Sequence, residues 1–146
     1  MAFWNGVRTR TLSRYECRII DALGERLIPP GGGIPYSAKD VGMVAFVDQL
    51  LMDFPGYARI AFRFVFVYLD LLARFTYFRT FPDLSSHQQD ALLERLRMNK
   101  RYTQRSLYVI INTPFQMGFY ADSRVTDHIG FFGNRSGQNK IQAPPA

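Results

Sequence analysis

One long uninterrupted apolar segment, residues 56–81, constrains the fold more than any other feature of the chain. It reads GYARIAFRFVFVYLDLLARFTYFRTF, lies between Pro55 and Pro82, and has no proline and no glycine after its first residue. A run of this length without a turn signal favours a helix over a strand, despite its β-branched and aromatic residues. Because apolar residues occur on almost every side of this helix, other structure has to enclose it. We therefore predict a domain built around a long central helix.

The charged residues of this segment fall on one narrow stripe. At about 100° per residue, Arg59, Arg63, Asp70 and Arg74 lie along one side of the helix. In one interpretation, Asp70 pairs with Arg74 one turn later and the arginine stems cover apolar surface. In the other, the arginines anchor a protein partner, because arginine is common among the residues that dominate binding energy. The sequence leaves both interpretations open.

The chain is also rich in aromatic residues, with 13 phenylalanines and 8 tyrosines among 146 residues. Most should fill the core, but those of residues 62–81 point in several directions from one helix. Some should therefore form an exposed apolar patch, which marks a partner surface, a membrane contact or a ligand groove. We assign Phe66 and Phe78, with Arg59, Arg63 and Arg74, to a candidate partner interface.

Capping signals and apolar spacing predict the other helices. Capping-box spacing marks three helix starts, at Ser13–Glu16, Ser37–Asp40 and Ser85–Gln88. A fifth helix is predicted over residues 102–120, and Pro114 should kink it or divide it in two because proline removes a backbone donor. A turn, a short helical piece and a glycine stop should follow.

These elements predict an all-α protein with one compact domain of about five helices around the central one. We assign residues 1–10 to an N-terminal arm, 11–133 to the helical domain and 134–146 to a flexible tail, because the tail is polar and ends in Pro-Pro-Ala. No pair of segments gives a convincing strand pair.

The charge of the chain, formally +6, permits a nucleic acid, an anionic membrane or an acidic protein as partner. The densest basic segment, residues 95–105, is typical of a solvated turn between two helices, so nucleic-acid binding is disfavoured. Charged residues interrupt the most apolar segment, which argues against a membrane span but leaves contact with a membrane surface open. Arg8 and Arg10 are not adjacent, so we see no twin-arginine signal and expect a cytoplasmic protein.

The sequence contains few groups that could perform chemistry. Cys17 is the only cysteine and has the apolar neighbours of a small core residue. His87 lies near a helix start, and His128 lies near Asp122 and Asp127 without the spacing of a metal site. No Gly-x-Ser-x-Gly motif is present, and the glycine-rich loop at residues 29–36 lacks the context of a phosphate loop. We therefore assign no catalytic, cofactor-binding or metal-binding residue.

Four segments, in this order, resemble the gluconate 2-dehydrogenase subunit 3 family. They read ERLIPP, VAFVDQLL, DLSSHQQDALLERL and GFYADSRVTDHIGF, and the similarity spans most of residues 11–131. The last segment is similar to the closing motif of that family. This resemblance makes the following positions candidates for core closure or partner contact: Gly118, Tyr120, Asp122, Gly130 and Phe131.

The resemblance implies a small subunit that is not itself an enzyme. Such subunits bind and support a large flavoprotein of the glucose-methanol-choline (GMC) oxidoreductase type, so FAD and the substrate site would belong to the partner. Many carry a twin-arginine signal, and this chain departs from that pattern. Two alternatives remain: a helical protein that binds the membrane surface, and an independent small-ligand or metal enzyme that uses His128 and nearby acids.

Overall fold

The computed structural model describes residues 2–129, and this part of the chain contains six α-helices and one short β-hairpin. The prediction of an all-α compact fold is confirmed. The predicted tail, residues 134–146, lies outside the described residues. The elements are β1 (Ala2–Trp4), β2 (Val7–Thr9), α1 (Arg14–Leu27), α2 (Met43–Asp53), α3 (Gly56–Tyr77), α4 (Ser86–Arg97), α5 (Tyr102–Ala121) and α6 (Ser123–His128), with a 3-10 turn at Phe81–Asp83.

Two of the three predicted capping boxes begin helices as expected. The Ser13 hydroxyl accepts the backbone N–H of Glu16, and the Glu16 carboxylate accepts the backbone N–H of Ser13. Ser85 and Gln88 exchange the same pair of hydrogen bonds at the start of α4. These contacts satisfy backbone donors that have no partner within the helix, so the start of each helix is fixed locally.

The predicted start of the second helix was wrong. Asp40 accepts hydrogen bonds from the backbone N–H and the hydroxyl of Ser37, at 2.7 and 2.8 Å, but these bonds close a turn instead of a helix. Gly42 then adopts a left-handed conformation, with φ of 67°, and α2 begins only at Met43. A positive φ is easily reached by glycine and interrupts a right-handed helix.

The long helix α3 ends four residues before the predicted boundary. Phe78 takes a left-handed conformation with φ of 57°, and a 3-10 turn starts at Phe81. The carboxylate of Asp70 accepts the backbone N–H of Phe81 at 2.9 Å, which folds the chain back along the helix. A tertiary hydrogen bond, and not a sequence signal at Phe81, therefore sets this boundary.

Helix α5 runs through Pro114 as one helix, so of the two predicted effects of this proline, a kink or a division, the division does not occur. Pro114 is buried together with Ile111 and Phe115 on the core side. The hydroxyl of Thr113 donates to the carbonyl of Val109 at 2.6 Å. Burial of this face offsets the backbone hydrogen bond that proline removes, so the helix continues.

The N-terminal arm contains a β-hairpin, and the prediction of no strand pair was wrong. β1 and β2 are antiparallel, with Trp4 opposite Val7. Asn5 and Gly6 have φ angles of 44° and 84°, as the central residues of a type I′ turn require. The Trp4 indole N–H donates to Asp21 of α1, which holds the hairpin against the helices.

The core lies between α1, α2, α4, α5 and one side of α3. Its largest fully buried side chains include aromatic residues from three parts of the chain: Phe66, Phe81 and Phe115. α3 contributes its buried face, and residues 2–129 leave its opposite side exposed. The expectation that part of the aromatic surface remains exposed is thus confirmed.

Candidate partner-binding surface

The uncovered side of α3 carries a continuous row of large apolar residues, which we call the α3 apolar seam. Phe75 and Phe78 are the most exposed members, at 80% and 90% of their possible surface. Monomeric proteins rarely leave a contiguous apolar patch of this kind in water unless it binds something. The members of the seam are Tyr57, Ile60, Phe64, Val67, Leu71, Phe75 and Phe78.

The geometry of the seam follows from its spacing. Successive members are three or four residues apart, which places all of them within about 80° of the helix circumference. The buried face, which includes Phe62, Phe66 and Leu69, lies on the opposite side. From Tyr57 to Phe78 the seam is roughly 32 Å long at 1.5 Å per residue. It is therefore a straight apolar strip, similar in pattern to the contact line of a coiled coil.

The arginine stripe lies between the buried face and the seam. Arg63 donates to the carbonyl oxygen of Thr11, and its Nε atom lies 3.2 Å from a carboxylate oxygen of Glu16. Arg59 donates to the carbonyl oxygen of Phe54 at 3.4 Å. Both guanidinium groups thus tie α3 to neighbouring segments of the same chain.

The third arginine of the stripe pairs with Asp70, as the first interpretation of the stripe predicted. The Arg74 Nε donates to the Asp70 carboxylate at 2.8 Å. Burial of Asp70 tends to raise its pKa, but hydrogen bonds from Tyr15, Arg74 and the backbone of Phe81 outweigh this effect and hold the pKa below its ordinary value. Asp70 is therefore a charged, structural anchor below the seam.

Of the two aromatic residues of the central helical segment that the sequence assigned to an interface, only Phe78 is exposed among residues 2–129. Phe66 is 1% exposed, and its ring meets the Phe62 ring edge to face at a centroid distance of 5.0 Å. Phe66 therefore belongs to the core of this chain. Phe78 projects from the C-terminal end of α3, one turn after Arg74.

The C-terminal candidate residues have different surroundings. Gly118 is buried where α5 meets α2, and a Cβ atom there would lie 2.7 Å from the Phe46 ring. Asp122 caps α6 by accepting the backbone N–H of Arg124, and the two side chains also form an ion pair. Tyr120 is exposed. Gly130 and Phe131 lie outside the described residues.

The chemical groups that the sequence singled out do not come together. Within residues 2–129, no three side chains from histidine, cysteine, aspartate and glutamate form a possible metal site. His87 and His128 are both exposed. Burial raises the pKa of the Cys17 thiol to about 11, so this group stays protonated at neutral pH and is a poor nucleophile.

Sequence reasoning identified only one member of the seam, Phe78. The missed signal is the regular spacing of three and four residues from Tyr57 to Phe78, which describes a second apolar face on the same helix. Together with the buried face, this second face makes the helix apolar on almost every side. That spacing separates two apolar faces of α3 but does not say which of them the fold buries.

The fold and this surface define a small helical protein with a long apolar face that residues 2–129 leave exposed. The chain belongs to the gluconate 2-dehydrogenase subunit 3 family, whose model matches residues 14–133. Membership of this family indicates an accessory subunit of a dehydrogenase complex. Comparison with curated proteins and with solved structures finds no match. Among the described residues, no helix has the length and apolar character needed to cross a membrane.

Proposed function

We propose that this chain is a non-catalytic small subunit that binds and stabilises a large FAD-dependent oxidoreductase of the GMC type. The observation that carries the proposal is the α3 apolar seam in a chain of this family. In this proposal FAD and the substrate site belong to the large subunit, and the small subunit supplies a docking surface.

The composition of the seam fits this role. Aromatic residues dominate the centres of protein interfaces because each buries a large area at a small cost in side-chain entropy. Phe64, Phe75 and Phe78 provide three such residues on one strip, and residues 2–129 leave each of them mostly exposed. Covering them would remove apolar surface from water in both subunits, so each subunit would stabilise the other.

A membrane-surface role is the second candidate, because the seam is apolar and the chain is basic. The pairing of two arginines weakens it. Arg63 and Arg74, which border the seam, are already paired with Glu16 and Asp70. Their charge is therefore partly neutralised on the side where an anionic headgroup would lie.

The test is affinity capture of the tagged chain from its native cells, followed by mass spectrometry and an absorbance scan. We expect a stoichiometric large oxidoreductase with the absorbance of bound flavin. The variant Phe64→Glu should lose this partner, because a carboxylate in the centre of an apolar interface is left unpaired. Ala45→Glu, an exposed change on α2, is the matched control and should keep this partner.

A colourless monomer recovered from cells that contain the candidate large subunit would contradict the proposal. Binding to anionic vesicles measured in parallel separates the second candidate. Vesicle binding that weakens with salt and is lost in Phe64→Glu, without any flavoprotein capture, would favour the membrane role.

A further inference from the structure

A second surface feature, at the corner where α4 turns into α5, has a chemistry different from that of the seam. A cavity of about 270 Å³ opens there between α3, α4 and α5, and we call it the corner pit. Cavities for drug-sized molecules usually measure about 300–1,000 Å³. The corner pit therefore suits one or two side chains better than a free cofactor. Its lining residues are Leu72, Leu92, Leu96, Arg95, Asn99, Arg101 and Gln104.

The floor of the pit is apolar and its rim is basic. Leu92 and Leu96 are buried, and Leu72 of α3 completes the floor. Arg95 and Arg101 stand exposed at the rim. A ligand that matches both parts needs an apolar group and a negative charge close together.

The polar groups between floor and rim are held in place. The side-chain amide of Gln104 donates to the hydroxyl of Tyr68 on α3 at 2.7 Å, which ties α5 to α3 beside the pit. The Asn99 side-chain oxygen accepts the backbone N–H of Arg101 at 2.9 Å. The pit is therefore formed before any ligand arrives, which lowers the entropy cost of binding.

The basic residues of this corner have no acidic partner within residues 2–129. In that part of the chain seven acidic side chains form salt bridges, all with basic residues outside this corner. All twelve acidic residues of the sequence lie between Glu16 and Asp127. The positive charge of the corner is thus available to an outside group. The residues that carry it are Arg95, Lys100, Arg101 and Arg105.

We propose that the corner pit binds an acidic peptide segment in which an apolar side chain is flanked by carboxylates. The apolar side chain would fill the leucine floor, and the carboxylates would accept hydrogen bonds from Arg95 and Arg101. Arginine suits this task because its planar guanidinium binds a carboxylate through two parallel hydrogen bonds. Helix α5 begins at the same corner without a side-chain cap, so its positive end also faces the acidic segment.

The apolar floor favours a peptide over a nucleic acid, because a phosphate backbone has no group that would fill it. The identity of the peptide rests on the proposed function: in the complex, the acidic segment belongs to the large catalytic subunit. The pit then supplies orientation and electrostatic attraction, while the seam supplies most of the buried area.

The first test measures affinity of the purified chain for the large subunit at low and high salt. The double variant Arg95→Glu/Arg101→Glu should bind at least about tenfold more weakly, with a smaller salt dependence, because charge reversal replaces attraction with repulsion. Arg8→Glu/Arg14→Glu changes the net charge equally at two exposed positions away from the pit and is the matched control. Thermal unfolding of both variants verifies that each is folded.

The second test needs no catalytic subunit. A short peptide of alternating glutamate and leucine is titrated into the chain labelled with ¹⁵N, and the side-chain amide signals of Asn99 and Gln104 are followed. We expect both signals to shift in the wild-type chain and to remain in place in Arg95→Glu/Arg101→Glu. The same peptide with glutamine in place of glutamate should bind much more weakly.

The outcomes separate this inference from the proposed function. Capture of the large subunit with wild-type affinity by the Arg95→Glu/Arg101→Glu chain, or an equal loss in the control variant, would overturn the inference and leave the accessory role standing. Peptide shifts at Asn99 and Gln104 without any flavoprotein capture would support the pit and overturn the accessory role. An absence of shifts at millimolar peptide would also overturn the inference. Shifts of the Asn99 and Gln104 signals with inositol phosphates or RNA, but not with the peptide, would also overturn the inference.

Discussion

One carboxylate oxygen of Asp48 accepts two hydrogen bonds from Thr11, from its backbone N–H at 2.9 Å and from its hydroxyl at 2.7 Å. The same carboxylate also accepts the backbone N–H groups of Arg10 and Leu12. Asp48 is on α2 and is 6% exposed, whereas residues 10–12 connect the hairpin to α1. A single buried side chain therefore fixes the path by which the chain enters its first helix.

Replacing Asp48 by asparagine should destabilise the fold. Asparagine keeps one oxygen for Thr11 and Leu12, but its NH2 group would face the backbone N–H of Arg10, which would lose its acceptor, and the negative charge that strengthens the other bonds would be lost. We expect the free energy of unfolding to fall by about 2–3 kcal/mol in urea titrations. Asp53→Asn changes an exposed residue at the end of the same helix and should cost little. Equal losses in the two variants would contradict the structural role of Asp48.

The stability of the chain should decline in acid. Burial tends to raise the pKa of Asp48, but the hydrogen bonds from residues 10–12 outweigh it and hold the pKa below its ordinary value. The same direction holds for Asp70. A carboxylate with a lowered folded-state pKa stabilises the fold above its unfolded pKa of about 3.9, and this contribution is lost as the pH falls through the folded-state pKa.

We therefore expect the free energy of unfolding to change little between pH 5 and 7 and to fall below about pH 4. Asp48→Asn should show a smaller fall, since it lacks one of the titrating carboxylates. The measurement is a series of urea unfolding curves between pH 2.5 and 7. If the free energy of unfolding fell equally with pH in the wild-type chain and in Asp48→Asn, Asp48 would contribute nothing to the acid sensitivity.

Replacing Phe78 by glycine should affect the stability of the chain and its binding to the large subunit in opposite directions. Phe78 adopts a left-handed conformation that glycine adopts far more easily, and residues 2–129 leave its ring almost fully exposed. Phe78→Gly should therefore raise the free energy of unfolding by about 1 kcal/mol. The same variant should weaken capture of the large subunit, because the seam loses its most exposed ring.

Phe78→Ala is the control for this prediction. Alanine also removes the ring but keeps the Cβ atom that disfavours the left-handed conformation. It should weaken capture as much as Phe78→Gly without the gain in stability. A loss of stability in Phe78→Gly would show that the ring contributes to the fold of the isolated chain.

Gly118 should tolerate no side chain. A Cβ atom there would lie 2.7 Å from the Phe46 ring and 2.9 Å from the sulfur of Met43, so α5 and α2 would have to separate. We expect Gly118→Ala to lower the free energy of unfolding by about 1–3 kcal/mol. Gly56→Ala, in the first turn of α3 with open space around it, should be neutral or slightly stabilising.

Local signals were sufficient where a helix end depends on neighbouring residues alone. Ser13 with Glu16 and Ser85 with Gln88 begin α1 and α4 as predicted. The hairpin was also encoded locally, by Asn5 and Gly6, but the short strands around this turn gave too little alternation to be recognised. Ser37 with Asp40 shows the limit, because the same hydrogen bonds can close a turn that no helix follows.

The sequence by itself determined the order of the helices, the capped starts of α1 and α4, and the surplus of aromatic residues on α3. Only the tertiary structure decided which of those aromatics are buried, because α3 has apolar residues around most of its circumference and its own spacing favours no single side. Packing placed Phe66 in the core and left Phe64 and Phe78 in the seam. Packing also placed Leu72 beside Arg95 and Arg101, which lie more than 20 residues later in the sequence. The reason is that hydrophobic burial brings α3, α4 and α5 together.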